Sequence, residues 1–280
     1  MRTPAHLPVL FQATLNGLAP HPSGKYIDGT LGAGGHAAGI LTAIAPTGQL
    51  LGLDVDPVAL ELARERLQLF GAAAHIVQAS YTEMAAQAQK LGWPTVNGIL
   101  LDFGASSMQF DQPARGFSFM AEGPLDMRFD PRNPLTAGEI VNQWPEEDLA
   151  NVIYEYGEER LSRRIARSII AARPLTSTTQ LAQVIAQAIG RPMARRRSHL
   201  HPATRTFQAL RMADNAELEA IEAVLPQAVD LLAPGGRLAV IAFHSLEDRL
   251  VKQFFRQMAS GPQASLRLVN RKPLQADENE

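Results

Sequence analysis

The first half of the chain alternates between short apolar runs and longer stretches with helical periodicity. The apolar runs begin near Lys25, Gln49, Ala73 and Val96, at intervals of about two dozen residues. One intervening helix is well marked, because Asp56 is a typical N-cap, Pro57 suits the first helical position, and apolar residues recur on one face over residues 60–70. Strand and helix alternating at this period predict a parallel, doubly wound α/β sheet.

The alternation stops after the fourth apolar run, residues 98–102. The next convincing strand, residues 237–243, comes much later than the ~30 residues that a strand–helix–strand unit needs. A helix over residues 216–232, kinked at Pro226, is predicted to lead into it. We therefore expect one discontinuous domain, residues 1–105 and 205–280, that holds the mostly parallel sheet, and one inserted α-helical domain, residues 106–204.

The insert itself shows helical patterns. Leu161, Ile165 and Ile169 recur at helical spacing and predict one helix over residues 146–173. Ser177 followed by Gln180 predicts a capping box that begins a second helix, ending at Gly190. Ligands of doubly wound sheets bind beyond the carboxyl ends of the strands, which is where the insert begins. We therefore expect the insert to cover the active site.

The turn after the first predicted strand carries the most informative motif. Asp28 ends the strand, and the glycines of residues 29–35 let backbone N–H groups approach a ligand, because no Cβ blocks them. A second strand, residues 50–53, carries Asp54 to its end, where a carboxylate can accept hydrogen bonds from both hydroxyls of a ribose. A glycine turn followed by a distal acid predicts a nucleotide-type cofactor.

Two cofactors fit this motif. Residues 32–37 match the dinucleotide pattern, so NAD(P) and an oxidoreductase activity stay open. Asp28 favours S-adenosylmethionine instead, because that cofactor carries a cationic sulfonium and an α-amine, whereas an acid would repel a pyrophosphate. The alternative for Asp28 is a local role, capping the turn through its own backbone.

The amino-acid composition limits the cellular compartment and the kinds of metal site that we expect. The 280 residues contain no cysteine, which excludes disulfides and thiolate metal sites and fits a reducing cytoplasm. The apolar residues near the start are interrupted by polar ones, so we expect neither a signal peptide nor a membrane span. A formal charge of −2 gives no overall sign of nucleic-acid binding, and the seven histidines show no ligand spacing. No metal is expected.

The loop after the fourth predicted strand concentrates polar residues. Asp102, Ser106, Ser107 and Gln109 lie within a short segment, and Arg115 follows. So many polar residues at the end of a strand predict a reaction centre. For individual residues a local role is the alternative: Asp102 would cap the next helix, and Arg115 would pair with a nearby acid.

The chain resembles the RsmH (MraW) family of bacterial methyltransferases from residue 6 to residue 273. The motifs that carry the resemblance lie at residues 34–36, 102–111, 115–119, 124–128, 156–160, 201–209 and 243–249. The resemblance implies a class I (Rossmann-like) methyltransferase that makes N4-methylcytidine in 16S ribosomal RNA, at decoding-centre cytidine 1402 in the usual rRNA numbering. A methyltransferase that acts on another nucleic acid or on a small molecule is the alternative with the same cofactor.

The resemblance also supplies a set of site residues. It implies that S-adenosylmethionine is bound by Gly34, Gly35, His36, Asp54, Tyr81, Asp102 and Gln109. Tyr81 would stack on or flank adenine, or would be only a half-buried aromatic at a strand end. Asp102, Ser106 and Ser107 are the candidates for binding the N–H bonds of the cytosine amine and accepting its proton. Met108 replaces a proline usual in the family, which leaves the acceptor open.

Arginine-rich segments predict where RNA binds. The predicted contacts are Arg115, Arg195, Arg196, Arg197 and Arg205; the adjacent arginines among them repel one another unless phosphates lie nearby. A further stripe, Arg160, Arg163, Arg164 and Arg167, is either a solvated helix face or an RNA surface. Phe117 and Phe119 either stack on a flipped base or pack in a core. The expected partner is 16S rRNA within the small ribosomal subunit, and homo-oligomer formation stays open.

The end of the sequence departs from the family pattern. Relatives continue beyond the position of Pro273 into a basic, strand-like tail, whereas this sequence stops at Glu280. Residues 266–269 are predicted to form a strand that would normally pair with that tail. An unpaired strand leaves backbone donors and acceptors open at a sheet edge and favours self-association. We therefore expect this form to be less stable and to lose some RNA affinity while it keeps its cofactor site.

Overall fold

The computed structural model describes residues 8–190, 201–262 and 264–276, and within them the chain forms a parallel sheet flanked by helices. The strands are β1 (Lys25–Asp28), β2 (Gln49–Asp54), β3 (Ala74–Gln78), β4 (Val96–Asp102) and β5 (Leu232–Ile241). They lie in the order β3-β2-β1-β4-β5, and every neighbouring pair is parallel. The α/β fold predicted from the strand spacing is therefore confirmed.

Helices precede and follow these strands along the chain. They are α1 (Phe11–Leu18), α2 (Gly35–Ile44), α3 (Pro57–Leu67), α4 (Met84–Lys90), α5 (Ser107–Phe110), α6 (Ala137–Gln143), α7 (Glu146–Glu155), α8 (Ser162–Ala172), α9 (Thr178–Ile189), α10 (Thr204–Asp214), α11 (Glu217–Leu231) and α12 (Ser245–Met258). In the described parts of the chain, no helix has both the length and the apolarity needed to cross a membrane.

The strand order places a switch point between β1 and β4. The chain runs outward from β1 through β2 to β3, then returns to lay β4 on the other side of β1. At such a switch the connections after the two central strands leave in opposite directions, which opens a crevice at their carboxyl ends. Asp28 and Asp102, the last residues of β1 and β4, therefore stand at the edge where doubly wound sheets bind ligands.

Successive residues of the central strands bury opposite faces of the sheet. Ile27, Leu51 and Ile99 belong to one hydrophobic cluster, together with residues of α11 and α12. Tyr26 and Leu50 belong to a second cluster, together with residues of α2 and α3. Because side chains alternate along a strand, a strand covered on both faces must be apolar throughout. This explains the continuous apolar run of β4.

The chain divides into two compact units, Met1–Gly104 with Leu218–Glu280, and Ala105–Glu217. The first holds the sheet, and the second is helical with a hydrophobic core of its own. Helix α10 lies in the second unit because Phe207 and Leu210 pack in that core, whereas the sequence assigned residues from 205 onward to the sheet domain. The spacing of apolar residues shows that a helix has a buried face, but not which core receives it.

The sequence patterns predicted two helices in the helical unit, and the structure tests both predictions. The single helix predicted over residues 146–173 is wrong, because α7 ends at Glu155 and α8 begins at Ser162. The break contains Glu158 at a positive φ of 49°, which an α-helix does not accommodate. The limits predicted for the second helix are confirmed, since the Ser177 side chain accepts a hydrogen bond from the Gln180 N–H and Gly190 is the C-cap of α9. The predicted capping box is only half formed, because Oε1 of Gln180 accepts a hydrogen bond from the Thr176 N–H and not from the Ser177 N–H.

The last strands differ from their predicted limits. β5 begins at Leu232 and ends at Ile241, because the Phe243 N–H donates to the Glu247 carboxylate instead of continuing the ladder. The strand predicted over residues 266–269 is wrong. The Leu266 N–H donates to the Met258 carbonyl at the end of α12, and no strand of the described chain pairs with this segment.

Candidate active site

The loop after β1 is shaped by its glycines and held by the neighbouring strands. Gly32 and Gly34 have positive φ angles of 52° and 77°, which favour glycine over residues with a side chain. The Gly29 N–H donates to the Leu100 carbonyl at 2.9 Å, and the Leu31 N–H donates to the Leu53 carbonyl at 2.8 Å. The loop is thus fixed to β4 and β2 and leads directly into the first turn of α2.

Asp28 is a buried acid at the end of β1. Its side chain is 1% exposed, and its Oδ1 accepts one long hydrogen bond, 3.3 Å, from the Thr30 N–H. Its Oδ2 has no hydrogen-bond partner among the described residues. The pKa of Asp28 is raised to about 7, mainly by burial and less by the charges of Asp102 and Asp54, while the Thr30 hydrogen bond lowers it. A positive charge placed beside Oδ2 would stabilise the ionised form.

Asp54 holds the glycine loop from the end of β2. Its Oδ2 accepts a hydrogen bond from the Gly32 N–H at 2.7 Å, and its Oδ1 accepts one from the Asp56 N–H at 2.9 Å. Burial raises the pKa of Asp54, and these backbone donors partly offset the effect. Each carboxylate oxygen has a second lone pair, so Asp54 can still accept hydrogen bonds from a ribose.

Asp102 ends the central strand β4 and faces three other elements. Its backbone N–H donates to the Thr30 hydroxyl at 2.6 Å, which ties it to the glycine loop. Its Oδ2 lies 3.9 Å from Nε2 of His36, and its side chain is 24% exposed. Burial, followed by the nearby charge of Glu247, raises the pKa of Asp102 to about 7. Asp102 is thus an acid that changes its charge close to neutral pH.

His36 lies in the first turn of α2, directly after the glycine loop. Its ring is buried and stacks on Phe11, with centroids 5.9 Å apart and an interplanar angle of 22°. Burial lowers the pKa of His36 to about 4. The imidazole is therefore neutral at physiological pH, so its approach to Asp102 contributes no ion pair.

Tyr81 lies just past β3, in a 3-10 turn capped by Ser80. Its ring is partly buried and lies 5.6 Å from the ring of Phe103, the residue that follows β4. The two aromatic rings stand at the same edge of the sheet as Asp28, Asp54 and Asp102. They supply an apolar wall beside the carboxylates, a surface suited to a purine ring.

Glu247, in the first turn of α12, is a further acid at this edge that the sequence did not single out. It is fully buried, and its Oε2 accepts hydrogen bonds from the N–H groups of Phe243 at 2.8 Å and His244 at 3.3 Å. Its Oε1 lies 3.0 Å from Nε2 of His244, at an angle too poor for a hydrogen bond. The separation of His244 and Glu247 matches a capping box and was the only local signal of this role.

The remaining candidates from the loop after β4 belong to the second unit. Ser106 is half-buried and precedes α5, and Ser107 is exposed in its first turn. Gln109 is buried, and its Oε1 accepts a hydrogen bond from the Ser106 N–H at 3.0 Å. Gln109 therefore fixes the turn that presents the two serines, and its part in cofactor binding stays a prediction.

The predicted RNA contacts differ in their surroundings. The Arg115 guanidinium donates to the carbonyls of Arg128 and Phe129 and lies 5.7 Å from the Phe117 ring, so it is engaged within the fold. Arg205 is exposed and donates to the Glu158 carbonyl at 3.1 Å. Arg195, Arg196 and Arg197 lie outside the described residues. All five stay predictions as RNA contacts.

The two candidate stacking residues of the second unit are packed against other rings. Phe117 is 4% exposed and stacks on Phe129, with centroids 5.6 Å apart and rings 9° from parallel. Phe119 is partly buried between His201 and Phe207, at centroid distances of 4.6 and 4.9 Å. Core packing, one of the two alternatives left open by the sequence, therefore describes both side chains.

Comparison with known proteins places the whole chain in one family. Ribosomal RNA small subunit methyltransferase H of Heliobacterium mobile is 47% identical over 292 residues, covering 98% of this chain and 93% of the relative. Its namesake in Thermomicrobium roseum is 52% identical over 258 residues, covering 91% and 78%. The namesake in Acidobacterium capsulatum is 47% identical over 284 residues, covering 100% and 94%.

Solved structures give a weaker likeness. A SAM-dependent O-methyltransferase from Thermotoga maritima is 20% identical, covers 36% of this chain and 37% of its own, and has a TM-score of 0.29. The fold therefore rests on the sheet topology described above. The profile of the MraW methylase family, by contrast, matches residues 3–280. The chain belongs to the MraW methylase family.

Proposed function

We propose that this protein is an S-adenosylmethionine-dependent methyltransferase that methylates the N4 amine of a cytidine in 16S ribosomal RNA. The family match and the relatives, each named ribosomal RNA small subunit methyltransferase H, support the reaction class and the substrate. The assignment of the cofactor depends most on the buried Asp28, one of whose carboxylate oxygens has no hydrogen-bond partner among the described residues. The cytidine and its N4 position follow from the resemblance of the motifs.

The residues of the sheet edge fit this cofactor. When bound, S-adenosylmethionine supplies a methyl group that its sulfonium charge has already activated. Gly34, Gly35 and His36 would bring backbone N–H groups to its methionyl end, where Asp28 offers an anionic oxygen to the α-amine. Asp54 would accept from the ribose hydroxyls, and Tyr81 would lie against adenine. Asp102 and Gln109 complete the proposed binding set.

The alternative cofactor, NAD(P), fits this edge poorly. Asp28, Asp54, Asp102 and Glu247 crowd carboxylates around the end of β1 and β4, and Coulombic repulsion among them contributes to the raised pKa values of Asp28 and Asp102. A pyrophosphate would add two negative charges to this group, whereas a sulfonium and an ammonium would offset it. The electrostatics therefore favour the methyl donor.

The chain's own residues are proposed to bind the cytosine amine and to accept its proton. The lone pair of a cytosine amine is delocalised into the ring, so acceptors that bind its N–H bonds make the nitrogen a better nucleophile. Asp102 ends the central strand and changes its charge near pH 7. It is the candidate that accepts the amine proton, while Ser106 and Ser107, which follow shortly in the chain, are the candidates that bind the N–H bonds.

The RNA substrate is proposed to contact the arginine-rich segments of the second unit. Arg195, Arg196 and Arg197 stand together in the sequence, and Arg205 is exposed at the start of α10. Arginine forks bind phosphates in pairs of hydrogen bonds and also stack on bases. An enzyme that acts on the small ribosomal subunit works where ribosomes are assembled, in the cytoplasm.

One experiment tests the substrate, the position and the cofactor together. The protein is incubated with methyl-labelled S-adenosylmethionine and small ribosomal subunits, protein-free 16S RNA or DNA, and the labelled nucleoside is identified by mass spectrometry. We expect label in N4-methylcytidine from 16S RNA, and loss of label with Asp102→Asn. Label in DNA alone, or in a base other than cytosine, would contradict the proposal. NADH fluorescence enhanced by the protein would favour the oxidoreductase instead.

A further inference from the structure

An open groove of about 390 Å³ lies on the second unit, between α7 and the start of α8. Three arginines, Arg160, Arg163 and Arg164, line it together with the ring of Tyr154. The remaining lining residues are small, polar or aliphatic, and none is acidic. We call this surface the arginine groove. Its volume falls within the range of about 300–1,000 Å³ that is usual for ligand sites.

Arg163 and Arg164 lie on the face of α8 that points away from the core. Ile165 and Ile169 are fully buried, whereas Arg163 and Arg164 are exposed. Arg160 is also exposed and lines the same groove from the turn that precedes α8. The fold therefore gains its packing from the opposite side of the helix, and the arginines make no contribution to that core.

The charges of the groove are not balanced by acids. No carboxylate in the described part of the chain lies within ion-pair distance of Arg160, Arg163 or Arg164. Arg167, on the same helix but outside the groove, does pair with Glu146, at 3.5 Å. Three like charges close together repel one another and bind anions. The groove is thus an anion-binding surface that the protein's own acids leave open.

Tyr154 gives the groove its second chemical character. It projects from α7 and is 59% exposed, which is unusual for so large an aromatic ring. An exposed ring beside several guanidinium groups is the combination with which proteins bind single-stranded nucleic acid, since the ring stacks on a base while the arginines bind phosphates. An acidic peptide would need the arginines but not a free aromatic face.

We propose that the arginine groove binds a single-stranded segment of RNA, with phosphates on Arg160, Arg163 and Arg164 and a base stacked on Tyr154. This inference rests on the proposed function, because it takes the substrate to be RNA. Of the two alternatives that the sequence left open for this arginine stripe, it chooses the RNA surface and adds Tyr154 to it. It assigns that surface to phosphate binding and base stacking rather than to sequence-specific reading of bases.

The arginines are tested by Arg163→Ala/Arg164→Ala. Binding of protein-free 16S RNA and of small ribosomal subunits is measured over a range of salt concentrations. Each lost phosphate contact removes counterion release, so the slope of log Kd against log salt should become shallower by about 0.7 per arginine for single-stranded RNA. Affinity at low salt should fall by roughly tenfold. In methylation assays KM should rise in step while kcat stays unchanged.

The matched control is Arg64→Ala. Arg64 is an exposed arginine on α3, in the first unit, with no acidic partner among the described residues. It should leave RNA affinity and the salt slope unchanged. Both variants should keep the affinity for S-adenosylmethionine and the circular dichroism of the wild type, which separates a loss of RNA contact from a loss of folding.

Tyr154 is tested by a pair of substitutions. Tyr154→Phe keeps an aromatic face and should bind RNA like the wild type. Tyr154→Ala removes the face and should weaken binding by roughly tenfold, the effect of losing one stacked base. Equal weakening by both substitutions would point to the hydroxyl and would contradict stacking.

The outcomes also separate this inference from the proposed function. If the wild type methylates 16S RNA and the groove variants bind it normally at every salt concentration, the inference fails while the function stands. If the variants lose affinity for ribosomal particles but not for protein-free RNA, the groove contacts a ribosomal protein and the inference is wrong. If the wild type methylates no RNA, the proposed function itself fails.

Discussion

Asp28 combines a cost to folding with a proposed role in cofactor binding. A buried carboxylate is unfavourable unless hydrogen bonds or an opposite charge stabilise it, and within the described part of the chain Asp28 accepts a single long hydrogen bond. Its pKa of about 7 expresses that imbalance. A bound cation would relieve it, so the cofactor-free protein should carry a strain that the cofactor removes.

We expect Asp28→Asn to stabilise the cofactor-free protein at pH 8 while it weakens cofactor binding. Asparagine has the same shape and keeps an oxygen for the Thr30 N–H, but it carries no charge to bury. Stability at pH 8 should rise by up to roughly 4 kcal/mol, the equivalent of the raised pKa. Affinity for S-adenosylmethionine should fall by roughly ten- to a hundredfold. Denaturant unfolding and calorimetry measure the two effects.

The same substitution should change how stability depends on pH. The pKa of Asp28 in the folded protein, about 7, lies above the ordinary value of 3.8 for an aspartate, so the folded protein binds more protons between these limits. Stability is therefore greatest below pH 4 as far as this group is concerned, and it falls as the pH rises towards 7. The fall should be smaller in Asp28→Asn than in the wild type. A parallel pH dependence in both proteins would show that Asp28 ionises normally.

Asp54→Ala should lower the affinity for S-adenosylmethionine by roughly ten- to a hundredfold, since charge-assisted hydrogen bonds contribute about 1.5–3 kcal/mol. The structure adds a second reason, because Asp54 also holds the Gly32 N–H of the glycine loop. The fold should persist, as the apolar clusters on both faces of the sheet are untouched. Unchanged affinity in calorimetry would contradict the prediction that Asp54 binds the ribose hydroxyls.

Single residues could be predicted where their partners are close in sequence or their chemistry is distinctive. The glycine loop and Asp54 follow from a motif that spans a short part of the chain. Thr30 and Glu247 were missed, because the hydrogen bond of Thr30 with Asp102 and the electrostatic effect of Glu247 on Asp102 join residues far apart in sequence. Phe117 shows the reverse problem, since an aromatic beside arginines has the same sequence pattern in a core and at a binding surface.

Elements were predictable where their ends carry side-chain caps. Asp56 accepts a hydrogen bond from the Val58 N–H at the start of α3, and Ser177 accepts one from Gln180 at the start of α9. These bonds are local, so a few residues determine them. The break between α7 and α8 has no such signal, because Glu158 adopts a conformation that its residue type rarely does.

The arginine-rich segment before α10 can be tested as an element of its own. Replacing Arg195, Arg196 and Arg197 with alanine should weaken RNA binding and make its salt dependence shallower, because fewer counterions are released. Affinity for S-adenosylmethionine should barely change, since none of its proposed ligands is altered. Normal binding of small ribosomal subunits at every salt concentration would show that the segment is only a solvated surface.

The described residues form three hydrophobic clusters, two on the faces of the sheet and one in the helical unit. The sheet unit is assembled from both ends of the sequence, and the helical unit comes from the middle. Long insertions are tolerated because the entropy of closing a loop grows only slowly with its length. The periodicity of the strands was enough to predict such an insertion, but its far boundary depended on the packing of Phe207 and Leu210.

We expect thermal unfolding to show two transitions, one for each unit. S-adenosylmethionine should raise mainly the transition of the sheet unit, which contains all of its proposed ligands except Gln109. At a concentration of 100 times its Kd the cofactor should stabilise that unit by about 2.7 kcal/mol. Calorimetry with and without the cofactor measures this. A single transition that shifts as a whole would show that the two units unfold together.

The position of β5 has a consequence for the nascent chain. β4 pairs with β5 along most of its length, yet about 130 residues separate the end of one from the start of the other. At a synthesis rate of about 5–20 residues per second, roughly 6–26 s pass between the synthesis of β4 and the synthesis of β5. During that time the unpaired backbone groups of β4 can form hydrogen bonds with other nascent chains on the same messenger RNA. Chaperones that bind nascent chains and shield extended apolar segments should therefore raise the yield of folded protein more for this chain than for a protein whose sheet has no insertion.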